Sequence, residues 1–265
     1  MLTLNNIQKI FHQGQTNENH VLKNLNLEIN EGEFVTIIGS NGAGKSTLLN
    51  IIAGTYQVEG GKIFLGDKDI TSWPVYRCTD YIGRVFQDPM LGTAASMTIE
   101  ENLSLALKRG QKRGLRLGIN SKLRETFQEN LSLIGLGLED RLREPVHLLS
   151  GGQRQALTLL MATLGGPKVL LLDEHTASLD PRTAEKIMSL TNKVVNDREL
   201  TALMVTHNMD QALEAGNRTI MMDKGEIIFD VSGSQRSQLT VNDLISKFEE
   251  IRKHKLTDDR LLLSN

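Results

Sequence analysis

The stretch Gly39-Ser40-Asn41-Gly42-Ala43-Gly44-Lys45-Ser46-Thr47 constrains the fold of this chain more than any other. It fits G-x-x-x-x-G-K-[ST]. The apolar run Phe34-Val35-Thr36-Ile37-Ile38 precedes it, and a helix-like segment from Thr47 to Ala53 follows. A strand feeding a glycine loop and then a helix is the context in which this pattern cradles phosphate. Gly39, Gly42 and Gly44 let the backbone curl so that successive N–H groups face phosphate oxygens. The helix N-terminus adds positive potential at the same place. Lys45 is placed to reach the β- and γ-phosphates of a nucleoside triphosphate, and the Ser46 hydroxyl to ligate Mg²⁺.

A P-loop alone says only that a triphosphate binds. Further along the chain stands Leu149-Ser150-Gly151-Gly152-Gln153, followed by Val169-Leu170-Leu171-Leu172-Asp173-Glu174. Four apolar residues ending in two carboxylates read as a buried parallel strand. Its C-terminal end is where open α/β sheets bind ligands. Asp173 is placed to hold Mg²⁺ through the metal's water shell, and Glu174 to face an attacking water.

With these motifs the chain resembles the ATP-binding-cassette (ABC) ATPases over nearly all of residues 1–230. Their signature is LSGGQ, set between the P-loop and the acidic strand. The resemblance implies roles for other positions. Phe11 stands where the family stacks an aromatic on adenine, although composition alone would also permit Phe34 or Tyr56. Gln87, in Gly83-Arg84-Val85-Phe86-Gln87-Asp88, looks like the glutamine that touches Mg²⁺ or the attacking water. Ser178-Leu179-Asp180 looks like the family's D-loop, and His207 like the switch histidine that contacts the γ-phosphate. Glu174 is then the general base, with Lys45, His207 and Gln87 as its partners in catalysis. ATP is held by Phe11, residues 39–47, Ser150, Gly151, Gly152, Gln153 and Asp180, and Mg²⁺ by Ser46, Gln87 and Asp173.

The resemblance also implies a fold: an α/β P-loop core with a mixed, mainly parallel sheet, an antiparallel β subdomain and a helical subdomain carrying the signature. Residues 1–87 and 165–230 form the expected core, 88–164 the helical subdomain, and 231–265 a C-terminal helix and tail. Local signals agree. Residues 2–8 and 25–30 alternate as half-wet strands, and Gly60-Gly61 reads as a turn before a strand over 62–66. Tyr81 to Gln87 reads as another strand. Thr98 and Glu101 form a capping box, Ser121 to Ile134 carries an apolar stripe, and Gln153 to Leu164 is helical. Strands are expected over Leu203–Thr206, Thr219–Met222 and Glu226–Phe229. Asp180 and Pro181 open a helix as N-cap and first residue. Thr240 to Lys253 reads as a terminal helix with Val241, Leu244, Ile245 and Phe248 inward, and 254–265 as frayed.

Length and composition narrow the class. A chain of 265 residues suits one core with a subdomain, and two cassettes would not fit. The net charge of −2 does not argue for nucleic acid. The single cysteine, Cys78, excludes an internal disulfide and suits a reducing compartment. No apolar run approaches the ~20 residues of a membrane span, and the N-terminus lacks a signal-peptide pattern. A membrane role therefore requires partner subunits. The basic cluster Lys108, Arg109, Lys112, Arg113, Arg116, Lys122 and Arg124 reads either as a solvated loop or as a contact with a permease or anionic lipid.

In the family the signature completes the P-loop site of a second copy, so a head-to-tail ATP-sandwich homodimer is expected. The other expected partners are transmembrane permease subunits and an extracytoplasmic substrate-binding protein, with no nucleic acid and a location on the cytoplasmic face of the membrane. The block from Gly83 to Thr93 resembles that of bacterial importers, some of them for aromatic amino acids. An exporter, or a soluble ABC ATPase of cluster assembly or of DNA or translation maintenance, is the alternative. Two departures suggest a divergent subgroup. His175 replaces the usual proline, as a tolerated substitution or for proton handling. The segment Leu159-Leu160-Met161-Ala162-Thr163-Leu164 lacks the arginine common after the signature.

Overall fold

The computed structural model describes residues 1–111 and 118–250. Its strands are β1 Leu2–Phe11, β2 Asn19–Ile29, β3 Phe34–Gly39, β4 Gly60–Leu65, β5 Lys68–Asp69, β6 Ile82–Val85, β7 Val169–Asp173, β8 Thr201–Val205, β9 Arg218–Asp223 and β10 Glu226–Ser232. Its helices are α1 Lys45–Ile52, α2 Val75–Cys78, α3 Ile99–Leu107, α4 Ser121–Ser132, α5 Gly151–Leu164, α6 Pro181–Asp197, α7 Met209–Glu214 and α8 Gly233–Ser237. Residues 241–250 are also helical.

Two sheets form. One is antiparallel, in the order β2-β1-β4-β5, and the other runs β10-β9-β3-β8-β7-β6. In the second sheet only β10 is antiparallel to its neighbour. This is the expected mixed architecture. The five apolar-rich strands from β9 to β6 are nearly all buried because helices or the other sheet cover both faces.

Side-chain alternation sorts each strand between two cores. Leu171 and Leu203 join α1 and the antiparallel sheet through Leu48, Leu49, Ile52, Leu2 and Leu4. Leu170, Leu172, Ala202 and Met204 face α5 and α6 through Leu159, Ala162, Met188 and Val195. A third core, with Ile99, Leu103, Phe127, Leu131, Val146 and Leu157, belongs to the helical segment. The face of α5 that carries Leu157 and Leu160 therefore belongs to the helical segment, and Leu159 and Ala162 belong to the main sheet.

Several boundaries differ from the expectations, each for a physical reason. α1 begins at Lys45, and α5 at Gly151 because Ser150 and Gln153 form a capping box. β1 and β2 are longer than read, since polar residues pair at their outer ends. Gly60 and Gly61 lie inside β4. A Cβ on Gly61 would sit 2.4 Å from the Asn5 carbonyl oxygen, so glycine here permits close strand approach rather than a turn. β6 stops at Val85, leaving Phe86 and Gln87 outside the sheet. In the C-terminal helix Leu244 is buried and Phe248 packs beside it, but Ile245 is exposed because it falls off that stripe. The tail reading of residues 254–265, and Lys112, Arg113 and Arg116 of the basic cluster, lie outside the described residues. Arg109 donates to the Ala162 carbonyl at 3.1 Å, and Arg124 pairs with Glu100 at 2.6 Å, so these two members of the cluster serve the fold itself.

Candidate functional site

Three neighbouring parallel strands end at one edge of the main sheet. β3 ends in Gly39, β7 in Asp173, and β8 in Val205 just before His207. The edge therefore gathers a glycine loop, two carboxylates and a histidine from distant parts of the chain.

Gly39 has φ 149°, and a Cβ there would lie 2.1 Å from the Met222 carbonyl oxygen, so only glycine lets the loop leave the sheet. Gly44 caps α1 at φ 97° with no side-chain cap and no acid in the first turn. The first N–H groups of α1 thus await an acceptor from outside the helix. Lys45 lies buried beneath the loop and donates to the Gly39 and Ser40 carbonyls at 2.9 and 3.0 Å. Burial pushes its ammonium pKa down, against the pull of Glu174 and Asp173. Ser40 Oγ donates to Asp223 at 2.9 Å and pins the loop to β9.

Ser46 Oγ lies 3.3 Å from Asp173 Oδ1, joining α1 to β7. Asp173 Oδ2 accepts from Arg84 Nη2 at 2.9 Å. Glu174, next in the chain, takes φ 46°, a left-handed conformation uncommon outside glycine. Its amide donates to the Val205 carbonyl at 3.0 Å, and its carboxylate lies 3.5 Å from His207 Nδ1. Beside this pair lies a cleft of about 370 Å³, walled by Glu174, Thr176, Thr206, His207 and Gln211. Gln211 Oε1 accepts from both Thr176 and Thr206 at 3.2 and 3.3 Å, which ties the turn after Glu174 to the turn before His207.

His175 points away from this cleft. It is buried, with Nε2 3.0 Å from Thr191 Oγ1. The Thr191 hydroxyl donates to the Ile187 carbonyl at 2.8 Å, so His175 Nε2 carries the proton and donates. Burial pushes its pKa down to about 4. The ring is a neutral packing group anchored to α6, which answers the two sequence readings in favour of structure over proton handling.

Other expected site residues fall as follows. Phe11 ends β1 and packs edge-on to Tyr56, ring centroids 5.4 Å apart, with Lys9 Nζ 4.9 Å from its ring centre. Phe34 is buried in the core and unavailable for stacking. Gln87 is exposed two residues beyond the end of β6. Its carbonyl accepts from Ser178 Oγ at 3.3 Å, and no hydrogen bond joins its side chain to Ser46 or Asp173. Asp180 caps α6 by accepting the Thr183 amide at 3.1 Å, and its hydrogen bonds with Thr183 hold its carboxyl below the usual range.

The signature opens α5. Ser150 Oγ accepts the Gln153 amide at 3.2 Å, and Gln153 Oε1 accepts the Ser150 amide at 3.2 Å. Gln153 also holds Arg141 and the Leu136 carbonyl. Ser150 and Gly151 are exposed, and the Ser150 and Gln153 side chains make their hydrogen bonds within residues 136–153. Sequence reasoning missed Arg84, Asn50 and Gln211. Their only signal is three-dimensional proximity.

The chain is similar to known proteins over most of its length. The profile of the ABC transporter family matches residues 22–177. The Tyrosine transport ATP-binding protein of Clostridioides difficile (strain R20291) is 47% identical over 249 residues, 94% of this chain and 99% of that protein. The Methionine import ATP-binding protein MetN 1 of Bacillus thuringiensis subsp. konkukian (strain 97-27) is 33% identical over 91% of this chain and 70% of its own length. Among solved structures, the dimeric post-hydrolysis state of the ATP-binding cassette MJ0796 bound to ADP and Pi superposes with a TM-score of 0.74 at 33% identity. It covers 88% of this chain and 98% of that one.

Proposed function

The chain belongs to the ABC transporter family and is its ATP-binding, ATP-hydrolysing subunit; on that premise we propose that it drives import of a small solute, an amino acid of the aromatic class. The full-length similarity to a tyrosine transport protein supports the substrate class, and the methionine import relative supports the direction.

The observation that carries the mechanism is the division of labour within the chain. One edge of the sheet holds the P-loop, Asp173, Glu174 and His207, and the signature Ser150 and Gly151 are exposed on another subdomain. Each copy supplies two half-sites, and two copies facing head to tail complete both. The phosphates of ATP lie on the α1 amides and Lys45 of one copy, with Ser150, Gly151, Gly152 and Gln153 of the second closing over them. Asp180 reaches the same junction at the start of α6. Phe11, beside Tyr56, offers a ring to adenine.

The donor set beside the P-loop is a hydroxyl and a carboxylate, both hard oxygen ligands, and it suits Mg²⁺. No group of three His, Cys, Asp or Glu among the described residues could hold a metal alone, which fits an ion shared with the phosphates. Ser46 and Asp173 would hold it, with Gln87 approaching from its loop. When bound, Mg²⁺ neutralises charge on the β- and γ-phosphate oxygens. Glu174 takes the proton of the attacking water, and His207 holds that water and the γ-phosphate in line. Lys45 and Ser150 stabilise charge on the transferring phosphoryl group.

Among the described residues no helix is long and apolar enough to cross a membrane. We place the protein on the cytoplasmic face, docked to permease subunits served by an extracytoplasmic substrate-binding protein. A groove of about 520 Å³ between core and helical subdomain, rimmed by Val75, Leu91 and Leu105, is the contact surface. Gentle detergent extraction with mass spectrometry of co-purifying chains tests this. A multi-span permease with a binding protein supports import. A permease alone argues for export, and only soluble partners would overturn transport.

A further inference from the structure

Arg84 lies on β6 opposite Leu171 of β7, so its side chain leaves the sheet on the same face as Leu171 and Asp173. Its guanidinium reaches Asp173 Oδ2 at 2.9 Å and Asn50 Oδ1 at 2.8 Å. Asn50 Nδ2 donates to the Ser46 carbonyl at 2.8 Å, and Ser46 Oγ faces Asp173 Oδ1 at 3.3 Å. The four residues close a polar ring around the donors placed for the metal. The Arg84 and Asp173 side chains are only 12% and 14% exposed, so screening by water is weak. Phe86 backs the guanidinium, 4.6 Å from its ring centre, and Arg84 Nε is buried without a partner.

We propose that Arg84 is a positioning residue that serves as the resident counter-cation of Asp173 and thereby weakens the hold of the nucleotide site on a divalent ion. This rests on the nucleotide-site reading above. A nearly buried carboxylate needs a positive partner when no metal is present. Arg84 supplies one on Oδ2 and leaves Oδ1 turned toward Ser46. A fixed positive charge on the same carboxylate repels an arriving dication, so metal and product are held less tightly than the donor set alone would dictate. Arg84 also lines the groove between the subdomains. Whatever packs there bears directly on this pair.

The test uses the full chain and Mn²⁺ as probe, read by electron paramagnetic resonance of free Mn²⁺ in the presence of ADP. Binding of a fluorescent ADP analogue in EDTA is measured in parallel. Arg84→Met is expected to lower the Mn²⁺ dissociation constant about tenfold or more. Arg84→Lys, which keeps the charge, should stay near wild type, and analogue binding in EDTA should be unchanged in both. Unchanged or weaker Mn²⁺ binding in Arg84→Met with intact analogue binding overturns the proposal. Failure of the wild-type chain to bind the analogue would instead sink the nucleotide-site reading. Should Arg84→Met not fold, Arg84→Gln carries the same comparison.

Discussion

His207 Nδ1 stands 3.5 Å from Glu174 Oε2, although the two residues leave different strands, β8 and β7. The Glu174 amide bonds to the Val205 carbonyl, so one backbone contact between strand ends sets the separation of both side chains. Glu174→Gln keeps the size and the contact but not the base. Its steady-state ATPase should fall roughly 10²–10⁴-fold with ATP binding retained. Size-exclusion chromatography with ATP should then show an accumulated dimer. Wild-type turnover by this variant would refute the base assignment.

Lys45 has no carboxylate in its hydrogen bonds, only the Gly39 and Ser40 carbonyls of its own loop. An incoming phosphate offers the charged acceptor that the loop lacks. Lys45→Ala should weaken nucleotide binding by about 10- to 100-fold, the worth of one hydrogen bond to a charged group. Titration with a fluorescent ATP analogue measures it, and wild-type affinity would contradict the role.

His175 gives a dependence on pH with a definite sign. Its folded pKa is about 4, below the ordinary 6.5, so between those values the unfolded chain binds more protons. The contribution is fully present above pH 6.5 and is lost as pH falls toward 4. Between pH 7 and pH 5 it amounts to about 2 kcal/mol. Urea unfolding of wild type and His175→Asn should show a shallower decline for the variant over that range. Parallel declines would mean that the ring is not the neutral group described.

Gly152 of the signature is held by packing. A Cβ added there would lie 2.3 Å from Thr183 Cγ2 on α6. Gly152→Ala should cost about 1–3 kcal/mol of stability. Thr183→Ser removes the obstructing methyl and should restore most of it in the double variant. Without that rescue in a denaturation series, the glycine requirement lies elsewhere.

The motifs are legible because they are local, and the mixed fold through the family resemblance those motifs carry. Glycines, the capping Thr98 and Asp180, and a four-residue apolar run each announce a backbone state within a few positions. What stayed hidden depends on which strands become neighbours. Arg84 meets Asp173 only because β6 and β7 pair in one register. Arg236 of α8 is a stronger case. It is buried and donates to the Ala212, Leu213 and Ala215 carbonyls at the end of α7, just after His207. Nothing around Arg236 in the chain hints at that anchor. Ile245 is the opposite case: an apolar residue in an amphipathic segment, it reads as core in the sequence but is exposed in the structure.

The cap at Ser150 separates two requirements that usually coincide. Its oxygen accepts the Gln153 amide through a lone pair, and that bond leaves the hydroxyl hydrogen free to donate from an exposed residue. Aspartate or asparagine would begin α5 equally well. Aspartate would confront an approaching phosphate with like charge, and asparagine would offer a longer, differently aimed group. The helix tolerates a small alphabet at this position, but the proposed contact with a triphosphate would narrow that alphabet to a short hydroxyl.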